Sequence, residues 1–458
     1  MRFCCLLPWL VAAAAAGEES APPPPLPGVD PEIKQMVGEI SPERIQKSIF
    51  VLASFKTRHT LSDPEPNGDG IGAAAGWIRT QFERTKAGAG GRLSVKEDTY
   101  LQKPSFPRIP EPVRVTNLVA TLAGTRAGSS HRVYVVSGHY DSRVKNVMDA
   151  QAAAPGADDD ASGTAAVIEM ERVMSRYDFP STLVFLAVAG EEQGLVGSTH
   201  WATEAKHREM DIQGMLNNDI IGNTHGLGGQ IERHQVRVFA QGVPPAKQWN
   251  DRLAELVRTG GENDTPARQL ARAVFDAGAV YVPSMQVRII YRTDRYLRSG
   301  DHSPFLDQGY AAVRFTEPTE DFHHEHEDVR TENGIAYGDV PEAVDFVYVG
   351  DVARVNAATL ANLARAPETP RGFQIETAML QNDTTLRWDA NQEPDLAGYR
   401  IVWRDTTAAV WQHHLDVPAS QTRVTVPVSK DDVVFGVQAF DAGGHVSMAV
   451  YPQPRLTL

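Results

Sequence analysis

Three consecutive carboxylates, Asp158 to Asp160, stand between a glycine and an Ala-rich helical pattern in the stretch P-G-A-D-D-D-A-S-G at 155–163. Like charges this close repel and raise one another's pKa unless cations neutralise them, so a bound metal is one reading of the run. A helix cap is the other, because Asp side chains accept the free N–H groups of a first turn and suit its dipole. A second stretch tips the balance towards metal. In V-Y-V-V-S-G-H-Y-D-S at 133–142 a short apolar run ends at glycine and delivers His139 and Asp141. Leu183 to Ala189 leads likewise into Gly190-Glu191-Glu192, Met215-Leu216 into Asn217-Asn218-Asp219, and Ala311 to Phe315 towards F-H-H-E-H-E-D at 322–328.

The ligand candidates from these five places are two histidines, His139 and His324, and three acids, Asp158, Glu192 and Asp219. Glu191 is left over as an unliganded carboxylate. A mixed nitrogen and oxygen set suits zinc, with cobalt or manganese as alternatives, and the absence of thiols from it excludes zinc-finger and iron–sulfur chemistry. Five ligands exceed the three that a catalytic zinc takes from its protein, so one carboxylate bridging two ions accounts for the surplus. Asp158, central in the order, is the expected bridge. Each reading has a blander rival. His139 could be a satisfied core histidine and Glu191-Glu192 a solvated helix start, but the companion Asp141 and the convergence of four apolar runs argue against both. Asp301-His302, in S-G-D-H-S-P-F, has an ordinary Asp-capped turn as its rival reading and is left out of the metal shell.

The elements that must carry these residues alternate. Helices are expected at Ser41 to Phe55, with Ser41 as N-cap, at Ile71 to Phe82, at Thr164 to Met174 and at Tyr348 to Ala364. Strands are expected at Asn117 to Leu122, Val133 to Val136, Leu183 to Ala189 and Ala311 to Phe315. Apolar runs without alternation suit strands covered on both faces. The fold class is therefore α/β, a mixed and mostly parallel sheet flanked by helices, and in such sheets ligands bind beyond the carboxyl ends of the strands.

The flanks differ. Residues 1–17 hold one Arg, an apolar run and a closing A-A-A, the pattern of a secretory signal peptide, and its apolar core is too short to span a bilayer. Cys4 and Cys5, the two cysteines of the sequence, lie inside it, so the exported chain is expected to have no disulfide and to be secreted or periplasmic. Residues 18–29 form a Pro-rich linker, and 30–366 the main domain. Lys and Arg number 44 against 58 Asp and Glu, a net charge of −14, and no basic run tracks phosphates, which excludes a nucleic-acid partner. After P-E-T-P at 367–370 the composition shifts to β. Short strands with apolar alternation at Thr385 to Trp388, Gly398 to Arg404, Arg423 to Pro427 and Val433 to Phe440 predict a small all-β sandwich over 371–458. It resembles a fibronectin type III domain, with Trp388 as core tryptophan and Tyr399 on the third strand, although Val433 stands where that family has its corner tyrosine. Docking to a surface or a polysaccharide is a role open to it.

Taken together, His139-Tyr140-Asp141-Ser142, the 156–163 run, Glu191-Glu192, Asp219 and His324 resemble the co-catalytic di-zinc peptidase family typified by bacterial leucyl aminopeptidase and related to glutamate carboxypeptidases. The likeness spans roughly Ser41 to Ala364. It implies one zinc on His139 and Asp219, a second on Glu192 and His324, and Asp158 bridging them. It also implies Glu191 as general base, Asp141 orienting the His139 imidazole, and a cis peptide at Asp158-Asp159. Among His323, His324 and His326 the family's H-x-x-x-D spacing selects His324 through Asp328, with His326 as the alternative. The Asp301-His302 pair resembles a loop near the substrate pocket in this family. The implied activity is amide hydrolysis by a zinc-activated water on peptide or protein N-termini, an aminopeptidase. The alternatives are a carboxypeptidase, favoured by the crowded Arg292, Arg295 and Arg298, a single-zinc glutaminyl-cyclase-like transferase, and a metal-dependent binding protein, for which an unliganded Glu191 would have no use.

Overall fold

The computed structural model describes residues 29–452 except residue 379. The expected signal peptide and all but the last residue of the Pro-rich linker lie outside the described residues. Helices α1 (Pro31–Gly38), α2 (Pro42–Ser54) and α3 (Ile71–Thr85) precede strands β1 (Leu93–Gln102), β2 (Val113–Leu122) and β3 (Arg132–His139). Helix α4 (Ala161–Met174), β4 (Thr182–Val188), α5 (Val196–His207), β5 (Asp211–Asn218) and β6 (Gln235–Ala240) follow. Next come α6 (Asp251–Arg258), α7 (Pro266–Tyr281), β7 (Gln286–Ile290), α8 (His302–Asp307) and β8 (Ala312–Thr316). A small hairpin, β9 (Arg330–Glu332) and β10 (Ile335–Tyr337), leads to the long helix α9 (Phe346–Arg365).

One eight-stranded sheet in the order β1-β2-β4-β3-β5-β8-β6-β7 organises this part. Its centre, β4-β3-β5-β8, is parallel, while on one side β2 runs antiparallel to β4 and β1 antiparallel to β2, and on the other β6 runs antiparallel to β8. Side chains alternate across each strand. Tyr134 and Val136 of β3, with Leu183, Phe185 and Ala187 of β4, join the core under α2, α4, α7 and α9. Val133 and Val135, with Val184, Leu186 and Val188, pack instead on Trp201 and Ala202 of α5 and Phe305 of α8. Both faces are thus covered, which is why these strands read as unbroken apolar runs. Helix α4 approaches the end of β3 closely: a Cβ on Gly138 would lie 2.5 Å from the carbonyl carbon of Gly163, and one on Gly163 would lie 2.4 Å from the carbonyl oxygen of Asn218. Glycine at both positions brings the start of the helix against the strand ends. Among the described residues no helix is long and apolar enough to cross a membrane.

The C-terminal part holds two three-stranded antiparallel sheets. β11 (Gln374–Ile375), β12 (Thr384–Arg387) and β15 (Arg423–Val426) form one, and β14 (His413–Pro418), β13 (Leu396–Asp405) and β16 (Val433–Asp441) the other. Leu386, Trp388, Tyr399, Ile401, Phe435 and Val437 make their shared core. The Tyr399 hydroxyl accepts from the Asn391 backbone N–H at 2.7 Å, so a tyrosine does tie back to the chain upstream even though Val433 fills the expected corner. These sheets are fastened to the main domain by buried polar contacts. The Arg404 guanidinium lies 2.7 Å from Asp264, which also holds Arg272 at 3.0 Å, and Arg272 donates to the Ala409 carbonyl.

Candidate metal centre and its supporting residues

The four adjacent parallel strands deliver their carboxyl ends to one place. β3 ends in His139, β4 runs into Glu191 and Glu192, β5 into Asp219, and β8 into Glu317 and the 321–328 loop. Two sets of ligand-type atoms assemble there, His139 with Asp159 and Asp219, and Asp159 with Glu192 and His326. His139 Nε2 lies 3.0 Å from Asp159 Oδ1 and 3.9 Å from Asp219 Oδ1. His326 Nε2 lies 2.7 Å from Asp159 Oδ2 and 3.0 Å from Glu192 Oε1. Asp159 therefore turns one oxygen to each set.

The triple-Asp run divides three ways. Asp160 is the cap that the blander reading described, since it accepts the Gly163 N–H at 2.9 Å with one oxygen and the His139 N–H at 2.9 Å with the other. Asp158, the expected bridge, faces away from both sets: its Oδ1 accepts the Gly222 N–H at 2.7 Å and its carboxyl sits beside Glu317. Burial pushes its pKa up to about 7, with Asp159 adding to the rise. Asp159, not Asp158, is the carboxylate common to both sets. The cis peptide also lies one residue later than expected, at Asp159-Asp160.

His324 is corrected in the same way. Its Nδ1 donates to the Gly338 carbonyl at 2.8 Å, so it fastens its own loop, while His326, at a φ of 53°, projects towards Asp159 and Glu192. A non-glycine residue at positive φ is held there only by its surroundings, and Ile220, directly after Asp219, is another at 60°. The spacing to Asp328 that selects His324 carries no information about this turn.

His139, Glu192, Asp219, Glu191 and Asp141 come together as expected. Asp141 holds the entry to the site: its carboxylate accepts the N–H groups of Glu191 and Glu192, each at 3.2 Å, and the Thr60 hydroxyl at 2.9 Å. Its carbonyl, rather than its carboxylate, accepts from His139 Nδ1 at 3.2 Å, the carboxylate standing at 3.6 Å. A carbonyl only accepts, so Nδ1 carries the proton and Nε2 turns a lone pair towards two carboxylates. His139 Nε2, 3.0 Å from Asp159, and Glu192 Oε1, 3.0 Å from His326, are buried and meet these neighbours without hydrogen-bond alignment. Imidazole nitrogens and carboxylate oxygens gathered so closely in a buried site fit a divalent metal between them. The carboxylates draw either a second proton or a metal ion to His139 Nε2, and a metal would take that proton's place. Burial opposes charge on His139, yet Asp141 and Asp159 outweigh it and raise its pKa. Glu191 goes the same way for a different reason, burial first, with Asp219 and Glu192 adding like charge.

Four supporting residues were not apparent from the motifs. Arg314, fully buried in β8, lies 2.6 Å from Asp219 and 3.0 Å from Asp294, and a lone Arg inside an apolar strand is a signal that would have found it. Arg143 donates to Glu192 Oε2 at 2.8 Å and stands against His326 Nδ1. Buried Arg58 clamps the loop before the acids, donating to the carbonyls of Tyr140, Leu52 and Gly156, and burial draws its pKa down to about 10. Asp339 does most for the shared carboxylate. Its two carboxylate oxygens accept the N–H groups of Asp158 at 2.7 Å and Asp159 at 2.8 Å, and its carbonyl accepts that of Ala157 at 3.2 Å. Gly156, at a φ of 51°, starts this turn, and a Cβ there would lie 2.7 Å from the Asp159 carbonyl oxygen.

The profile of the family described as Peptidase family M28 matches residues 117–344, which include every residue of the two sets. A probable zinc metalloprotease of Leptosphaeria maculans is 48% identical over 428 residues, 93% of this chain and 98% of the relative. This chain belongs to peptidase family M28. A second probable zinc metalloprotease, from Pyrenophora teres f. teres, is 45% identical over 93% of this chain and 87% of its own. Among solved structures the M28 chain is similar to the LapA aminopeptidase of Legionella pneumophila, with a TM-score of 0.50 and 18% identity over 72% of this chain and 74% of that one, a likeness of fold.

Proposed function

We propose that this M28 chain is an exported zinc exopeptidase that removes N-terminal residues from peptides. In this reading His139, Asp159 and Asp219 would hold one ion and Asp159, Glu192 and His326 a second. The observation that carries it is the pair of overlapping ligand sets sharing Asp159 in a buried site. The names of the curated relatives support zinc and proteolysis. Two zinc ions in such a site supply Lewis-acid polarisation of the scissile carbonyl and a water acidic enough to attack near neutral pH. Glu191, outside both sets, would be the carboxylate that accepts a proton from the attacking water and returns it to the leaving amine. Asp141 holds Glu191 and Glu192 by their backbones, so that adjacent side chains leaving one strand divide between base and ligand. Arg314 and Arg143 neutralise part of the carboxylate charge and orient Asp219 and Glu192. The export step rests on the 1–17 segment, and the sandwich is read as fibronectin type III-like from its two sheets and the Tyr399 tie.

The test compares Glu191→Gln with Glu192→Gln. Glu191→Gln should keep both zinc ions and lose turnover by roughly 10²–10⁴. Glu192→Gln should lose one ion and recover part of its activity in added zinc. A zinc-depleted Glu191→Gln protein rescued by metal would overturn the assignment. Cleavage of N-blocked peptides as fast as free ones would remove the aminopeptidase reading and promote a carboxypeptidase.

A further inference from the structure

On a chain of net charge −14, one pocket beside the metal ligands is positive. It has a volume of about 340 Å³ and is lined by Arg237, Arg295 and Arg298, with Glu320 as the acid among its lining residues and Tyr296 and Phe322 as aromatic walls. Arg237 and Arg295 both reach Glu320, at 2.6 and 3.1 Å, and Arg298 pairs with Glu325. Arg295 also lies 3.5 Å from Asp294, so the three guanidinium groups share Glu320, Glu325 and a third carboxylate that is itself divided with Arg314. Glu320 Oε1 already accepts from Arg237 at 2.6 Å, so Arg295 Nη1, 3.1 Å from that same oxygen on a side chain only 10% exposed, shares it at poor alignment. A buried guanidinium donor that must share an acceptor is only partly satisfied, and an incoming carboxylate would complete it.

The pocket adjoins the site at two points. Glu325 precedes His326 in the chain, and two residues after Arg298 a Cβ on Gly300 would lie 3.1 Å from Asp219 Oδ2. The loop between is built to present side chains. Leu297 sits at a φ of 60° and is fully exposed, and Tyr296, 80% exposed, is backed by the Arg292 guanidinium 3.5 Å from its ring centroid.

We propose that this pocket receives a carboxylate of the peptide substrate, either an acidic side chain or the free C-terminus of a short peptide, and so biases the enzyme towards acidic substrates. The proposal rests on the peptidase reading. Its test measures kcat/KM of the zinc-loaded full chain on Leu-Ala-Ala-amide, Leu-Ala-Ala with a free C-terminus, Leu-Asp-Ala-amide and Leu-Asn-Ala-amide. At least one carboxylate peptide should exceed its neutral partner by about tenfold at low salt, as charge-assisted hydrogen bonds allow, and the ratio should shrink as salt rises. A preference for the free C-terminus alone, or for Asp alone, assigns the source. Arg295→Gln and Arg298→Gln should bring the ratio towards one, whereas Glu320→Gln, which removes the competing acid, should raise it. Equal rates on all four peptides, or ratios unmoved in all three variants, would overturn it. Chelator-sensitive hydrolysis of the neutral amide reports the peptidase reading separately. Tighter binding of acetyl-Asp-amide than of acetyl-Asn-amide, seen by calorimetry, reads the pocket without turnover, and equal binding there counts against it.

Discussion

Replacing Asp339 by Asn tests how the shared carboxylate is held. The native side chain accepts two backbone N–H groups through its two oxygens, at 2.7 and 2.8 Å, in a buried turn. Asn keeps the shape and one acceptor but sets an NH₂ group against the other N–H, so one charge-assisted bond is lost and two donors face each other. An unsatisfied buried donor costs roughly 1–3 kcal/mol, and the turn relieves it by moving Asp158 or Asp159. Outer partners of metal ligands are typically worth 10–100-fold in metal affinity, and the loss here should be of that order. Because Asp159 belongs to both sets, the loss should fall on both ions together. Competition with a zinc chelator reads the two affinities, and the melting temperature of the metal-free protein reads the fold. The expected result is a joint fall in both affinities with the metal-free melt lowered by only a few degrees. Affinities within twofold of the parent, or a loss confined to one ion, would refute the clamp.

Three other outcomes follow from the geometry. His326→Ala should release one zinc and keep the other, whereas His324→Ala should retain both and lose only the loop contact to Gly338, so two bound ions in His326→Ala would return the ligand role to His324. Glu171, buried on α4 with Oε2 unpartnered and Oε1 bonded to the Thr85 hydroxyl, is pushed by burial from 4.5 up to about 8. Between those values the folded state holds the proton that the unfolded state releases, so stability falls as pH rises from about 4.5 to about 8, and Glu171→Gln should flatten that fall and gain roughly 1–3 kcal/mol at pH 8; equal pH slopes in urea melts of both proteins would count against it. Arg404→Met removes the guanidinium that reaches Asp264 across the seam from the C-terminal sheets, leaving Asp264 with Arg272 and Gln269 of its own side, and should cost about 3 kcal/mol while zinc content stays at the parental level, which urea titration and metal analysis would check.

The same seam qualifies what was separable in the sequence. The two halves were legible because composition changes at the 367–370 linker, and their core strands because apolar runs and alternation are local properties of the chain. β1, β6 and β7 escaped notice because they lie at the sheet margins, where half-exposed faces interrupt the apolar pattern. His139, Glu191, Glu192 and Asp219 were legible for the same local reason, each standing where an apolar run stops, and the parallel centre of the sheet then places those stops side by side. Which of three adjacent acids turns an oxygen to each set, and which of three nearby histidines joins them, depended on contacts with residues far along the chain. Asp339, 180 residues after Asp159, captures the backbone of the triple-Asp turn, so that Asp158 faces Gly222, Asp159 the metal ligands and Asp160 its helix. Gly338 holds His324, and the positive φ of His326 carries the second histidine past it. A turn of one residue reassigns every side chain on it, and only the tertiary partners of its backbone N–H groups decide how far it turns.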